Sequence, residues 1–301
     1  MGPSFGGAGG DSSSWRVRDC RHGRVLLLIQ TNSLQPTAEG LVIWNPVTGD
    51  EQHLSPPPHR YKCAAGAVLC AATGQCDHHG CHGGPSLVVF MGSTDSTTWA
   101  CVRSTSKDDG PGTWSHESTI YHAIHPMDWG SLLADTDRSL LAGDDLYFTD
   151  DGCYWRILKY GLSDRRLSLK FLPSWLGMQN MVLTTAADGK LGIAGVSVNG
   201  HTLELRSRQI AAGVETWTRD RVIELKTMLP MAIDDPAGTK PEFRVIAFAE
   251  GVDTVFISTN AGVFTLELKS GRVNKVFEST VSAVVFPYVG FLTSYLAGGR
   301  L

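Results

Sequence analysis

No stretch of this 301-residue chain stays apolar for the length that crosses a bilayer. The longest strongly apolar segments, around residues 24–29 and 281–286, are strand-sized. The first ten residues, Met1-Gly2-Pro3-Ser4-Phe5-Gly6-Gly7-Ala8-Gly9-Gly10, carry neither the basic region nor the apolar core of a leader, so no signal or transit peptide is expected there. A polybasic block is missing, and the net charge is −4. Nucleic acid and membrane are therefore not expected partners. The seven cysteines are odd in number and irregularly spaced, which speaks against a secreted disulfide framework. Free thiols in the cytosol or nucleus are the expected state.

Helical periodicity is equally scarce. Glycine (33 residues) and proline (14) interrupt the chain too often for apolar residues to recur over three helical turns. A short helical turn over residues 175–182 is the one exception expected. The class is all-β.

Signatures of catalysis are sparse. There is no Gly-x-Ser-x-Gly elbow and neither phosphate-binding glycine fingerprint. His22, His122, His125 and His201 are scattered and suggest no triad. Asp108-Asp109-Gly110, Asp150-Asp151-Gly152 and Asp234-Asp235-Pro236 pair carboxylates, but they fall where turns favour Asp, Gly and Pro for backbone reasons. The run Cys76-Asp77-His78-His79-Gly80-Cys81-His82, with Cys63 and Cys70 upstream, is the sharpest metal candidate. Zinc wants two short-spaced couples, and only one Cys-x4-Cys-His grouping is present. The run reads as a polar surface loop, with zinc binding left open. No catalytic, cofactor-binding or metal-ligating residue is assigned, and no cofactor is expected.

Repetition is what the chain has. Val102-Arg103-Ser104 and Thr113-Trp114-Ser115 recur at the same offset as Leu205-Arg206-Ser207 and Thr216-Trp217-Thr218. A second unit is interleaved with the first. Trp44-Asn45-Pro46-Val47-Thr48-Gly49, Tyr160-Gly161-Leu162-Ser163-Asp164-Arg165 and Leu266-Glu267-Leu268-Lys269-Ser270-Gly271 each put a large apolar residue before a turn. Units that recur roughly every 50 residues are the mark of repeated β-sheets such as propeller blades. Equivalent positions for Trp114 and Trp217, and for Trp44 and Tyr160, suggest packing between blades.

The strands follow from this pattern. Residues 1–14 form a Gly/Ser-rich tail expected to be disordered, and 15–301 form one domain. Segments 140–142, 145–149, 155–160 and 167–172 give the cleanest blade, followed by 181–185, 191–196, 202–207 and 222–225. A last apolar strand, 282–289, is expected to join the N-terminal segment 15–29 and close the ring. The expected architecture is a β-propeller of five to six four-stranded blades.

Several segments resemble a known family. Asp19-Cys20-Arg21-His22-Gly23-Arg24-Val25-Leu26-Leu27 and Val42-Ile43-Trp44-Asn45-Pro46-Val47-Thr48-Gly49-Asp50 are similar to the F-box-associated β-propeller domains of plant F-box proteins, the grass branch most of all. So are the Cys76–His82 run, Ala142-Gly143-Asp144-Asp145-Leu146-Tyr147 and Val285-Phe286-Pro287-Tyr288. The resemblance covers residues 15–295. It implies a propeller that holds a protein substrate, while a helical F-box docks on a Skp-type adaptor of a cullin ubiquitin ligase. No F-box is recognised in this sequence, so adaptor and cullin are expected partners only where one is supplied. A hydrolase on a propeller scaffold and a degenerate, poorly folding paralogue are the alternative readings.

Overall fold

The computed structural model describes residues 13–31, 38–57, 59–71, 84–106, 113–122, 133, 138–149, 156–173, 176–229, 243–278 and 285–288. The strands are β1 (Ser13–Arg21), β2 (Arg24–Thr31), β3 (Ala38–Trp44), β4 (Glu51–Leu54), β5 (Cys63–Cys70), β6 (Ser86–Ser93), β7 (Thr97–Ser104), β8 (Ser115–Tyr121), β9 (Ser139–Ala142) and β10 (Asp145–Thr149). They continue as β11 (Arg156–Gly161), β12 (Leu167–Phe171), β13 (Met178–Thr185), β14 (Leu191–Ser197), β15 (Thr202–Ala211), β16 (Val214–Glu224), β17 (Arg244–Ala249), β18 (Thr254–Thr259), β19 (Gly262–Glu267) and β20 (Val273–Phe277). They build five four-stranded sheets, each laid down in sequence order: β1-β2-β3-β4, β5-β6-β7-β8, β9-β10-β11-β12, β13-β14-β15-β16 and β17-β18-β19-β20. Every register determined between neighbours is antiparallel, the pairing that short hairpin turns allow. The chain divides into two compact units.

The first unit runs to Ser139 and also takes Asp150–Lys170 and the chain from Tyr288. Its core follows from the two-residue period of β2. Leu26 and Leu28 face one way and pack with Leu41, Ile43, Val68, Val88, Phe90 and Trp99, drawn from the first two sheets. Val25 and Leu27 face the other way against Val42, beside Val17 and Trp44. A strand buried on both faces must be apolar at every position, which is why residues 25–29 read as one continuous run. Gly92 is required by its neighbour: a Cβ there would overlap the Trp99 indole.

The second unit holds Leu140–Thr149 and Phe171–Pro287. β14 is buried along its whole length, and β17 lies against β13 and β14. Leu203, Val255, Ile257, Val263 and Leu266 are buried in its interior.

Three expectations change. Residues 178–182 belong to β13 and are not helical; the turn before them is closed by Leu176 N–H donating to Pro173 O at 3.1 Å. The fourth strand of the fourth sheet is Val214–Glu224, far longer than residues 222–225, because a tight turn at Ala212-Gly213 folds it back along β15. β1 begins at Ser13, inside the stretch assigned to the tail, and completes the first sheet with β2, β3 and β4. Residues 285–288, the described part of the expected closing strand, carry no strand pairing.

Candidate protein-binding surface

A buried ionic node fixes the first strands of the first unit. Asp19 of β1 accepts a hydrogen bond from Val68 N–H of β5 at 2.8 Å, and Arg21 Nη1 pairs with the same carboxylate at 2.7 Å. Arg21 also donates to Ser139 Oγ and, at 2.6 Å, to Ser139 O. Asp19 is 5% exposed and Arg21 8%. A carboxylate and a guanidinium this deep are tolerated only because each is paired and hydrogen-bonded. Cys20 lies between them, and burial, with the adjoining Asp19 charge, pushes its thiol up to about 12. Such a thiol stays protonated and is neither nucleophile nor metal ligand at neutral pH.

An aromatic strap follows β4. Trp114 sits edge-on to Phe90 at 6.2 Å and donates its indole N–H to the carbonyls of Ser55 (3.2 Å) and Pro56 (3.0 Å). Arg103 donates to Ser55 Oγ. His59 stands on Trp99 at 5.3 Å and Tyr61 on Phe90 at 5.6 Å. The connection after β4 is thereby held along the second sheet.

The repeats found in sequence sit at one structural position. Trp44, Tyr160 and Leu266 lie at or next to the end of the third strand of their sheets. In each case the following residue donates its N–H to a carbonyl five residues on: Asn45 to Asp50 (2.9 Å), Gly161 to Arg166 (3.0 Å) and Glu267 to Arg272 (2.9 Å). Val102-Arg103-Ser104 and Leu205-Arg206-Ser207 occupy the third strands of the other two sheets that carry a repeat. The two tryptophans part company. Trp114 lies just before β8, whereas Trp217 is inside β16, directly across from Arg208.

In the second unit β15 and β16 form a ribbon that outruns its sheet. Pairing between β14 and β15 ends at Gly192 with Ser207, while β15 and β16 stay paired to Ala211 with Val214. Ala212 (φ 51°) and Gly213 (φ 79°) are both left-handed, the requirement of the two-residue turn whose twist suits a hairpin. Arg208 braces the ribbon by donating to Tyr147 Oη of β10 at 3.2 Å and pairing with Glu215 at 3.1 Å. Beyond the brace Ile210 is 62% and Val214 61% exposed. Lower down, Glu204 holds Arg206 at 2.7 Å and reaches Arg219 at 4.0 Å.

The acid–base candidates are not gathered. His122 Nε2 contacts Thr98 Oγ1 at 3.2 Å, and Thr98 contacts Ser93 Oγ at 2.8 Å, but both hydroxyls are fully buried and closed to a substrate. Among the described residues no three His, Cys, Asp or Glu side chains form a metal-holding group. Cys76–His82, His125 and the three Asp pairs lie outside the described residues. Sequence reasoning missed the Asp19–Arg21–Ser139 node and the ribbon. The alternation Glu204, Arg206, Arg208 against Thr216, Thr218 was the available signal for a long two-stranded element.

The family model described as F-box protein AT5G49610-like, beta-propeller, matches residues 16–290. The chain belongs to that family, and its five sheets are propeller blades of four strands each. No curated protein matches the sequence significantly. Solved structures align along most of the chain at very low identity. The extracellular domain of a candidate one-component system of B. thetaiotaomicron shares 8% identity at a TM-score of 0.42, over 87% of this chain and 30% of that one. A candidate 6-phosphogluconolactonase of Bacteroides fragilis shares 12% at 0.40, over 92% and 70%. The WD40 domain of SCAP from fission yeast shares 11% at 0.37, over 89% and 56%. The chain thus spans under a third of the first of these. Likenesses this remote carry no functional argument. Family membership makes this a protein-binding propeller, and among the described residues no helix is long and apolar enough to cross a membrane.

Proposed function

We propose that the chain is the substrate-holding half of a ubiquitin-ligase receptor, a platform that grips a protein and leaves chemistry to a ligase. The observation that carries this reading is the family match over residues 16–290 on five repeated four-stranded sheets. No residue is given a catalytic, cofactor or metal role. Cys20, Cys63, Cys70 and Cys101 are free thiols, which supports a reducing cytosol or nucleus. The chain end returns to its start: Tyr288 Oη donates to Gly23 O at 3.4 Å, which favours closure by the C-terminal segment.

The test is capture of a Skp-type adaptor by this 301-residue chain and by the same chain fused to an F-box. The expected result is adaptor binding by the fusion only, with client proteins retained equally by both. Loss of clients from both forms would end the receptor reading.

A further inference from the structure

The β15–β16 ribbon carries features that its place in the sheet does not need. β16 is the terminal strand of the fourth sheet, so its outer edge has no strand beside it. In a hairpin closed by Ala211 and Val214, the residues that bond inward alternate with residues that turn N–H and C=O outward, and Trp217 is one of the latter. The regular edge runs from Val214 to Arg219, where a bulge at Asp220 ends it. Bulges and charges usually blunt an edge along its length. Here they are confined to the stem, and the six residues above stay regular.

The two faces of that edge differ. Val214, Thr216 and Thr218 share one face, and all three are exposed. Glu215, Trp217 and Arg219 share the other. Arg219 is directly across from Arg206, and like charges so placed repel. A single carboxylate, Glu204, serves both, at 2.7 Å to Arg206 and 4.0 Å to Arg219. The Arg219 side chain is 59% exposed and directs its charge to solvent.

We infer that the outer edge of β16 between Val214 and Arg219 binds an extended peptide segment of a client as a fifth strand, with β-branched or apolar side chains beside Val214, Thr216 and Thr218 and a carboxylate beside Arg219. Backbone bonds along the edge supply affinity, and the alternation of side chains supplies selection. The carboxylate relieves the Arg206–Arg219 repulsion, which a neutral or basic peptide cannot do. This rests on the proposed receptor role and names the kind of segment received.

The probe is a fluorescein-labelled, N-acetylated hexapeptide of alternating valine and glutamate, which sets a carboxylate beside Arg219 in either chain direction. Fluorescence anisotropy with the full chain is expected to show saturable binding. Replacing glutamate by lysine weakens it at least about tenfold. Arg219→Glu, at an exposed position that leaves the fold intact, reverses the preference. The same peptide N-methylated at every amide loses binding although its charges are unchanged. No saturation up to about 1 mM overturns the inference. So does equal binding of the N-methylated peptide, which would leave charge alone as the attraction. Protein clients retained undiminished by the Arg219→Glu chain would also overturn it, while leaving the receptor role standing on another surface.

Discussion

Asp19 concentrates more structural consequence than any other side chain described in the first unit. It accepts from Val68 N–H, balances Arg21 and lies 3.5 Å from Ser139 Oγ. Asp19→Ala leaves a buried guanidinium and a buried amide without their acceptor, and is expected to cost about 3–5 kcal/mol. Urea unfolding measures this as a lowered midpoint. Gly92→Ala sets a methyl into the Trp99 indole, with an expected cost of about 1–3 kcal/mol from overpacking. Cys20 and Tyr160 foretell an alkaline limit. Burial raises the Cys20 thiol from 9.0, and the Tyr160 hydroxyl from 10.0, each to about 12. Above pH 9 the unfolded chain releases these protons and the folded chain keeps them, so the unfolded state binds fewer protons and stability falls. Denaturation midpoints should therefore be flat from pH 7 to 9 and decline toward pH 12, and Cys20→Ala with Tyr160→Phe should flatten the decline. Midpoints that hold steady to pH 11 would refute it.

Strands and turns were largely legible before any coordinates, and the reasons are local. The apolar residue at the end of a third strand, followed by a turn rich in Gly, Asn, Asp or Ser, predicted the closures after Trp44, Tyr160 and Leu266, because such turns are set by their own residues. β10 matches its expected span, and β9, β11 and β12 do so within a residue at their ends, because β9–β10 and β11–β12 are joined by short turns. The ribbon was not legible, since β16 carries exposed polar side chains at most positions and shows no apolar alternation. The node was not legible either: Asp19 and Arg21 stood in the family-like segment, but nothing local says that they reach Val68 and Ser139, 49 and 120 residues away from Asp19. At this level the brace of the ribbon is testable. Arg208→Ala removes the ties to Tyr147 and Glu215 and is expected to cost about 1–2 kcal/mol, with faster amide exchange confined to residues 208–217. Exchange that speeds up uniformly would contradict that local role.

Five four-stranded sheets, each folded from consecutive hairpins, make a molecule of repeated local units whose loops are free to vary. Such an architecture supports binding and catalysis alike, so the assignment to binding rests on family membership and on side chains. The buried charges of the first unit are spent on one another, and the hydroxyls beside His122 are sealed from solvent. What reaches solvent on the second unit is an edge strand with an apolar tip and a basic stem, an arrangement that suits another polypeptide. The measurement that bears most directly on the central claim is ubiquitin-remnant profiling of cells that express the chain alone or the chain fused to an F-box, read against the proteins that the chain alone retains. The account predicts that retained proteins gain ubiquitin when the fusion is present and fall in abundance. Retained proteins whose ubiquitin and abundance are identical in the two cell lines would contradict it.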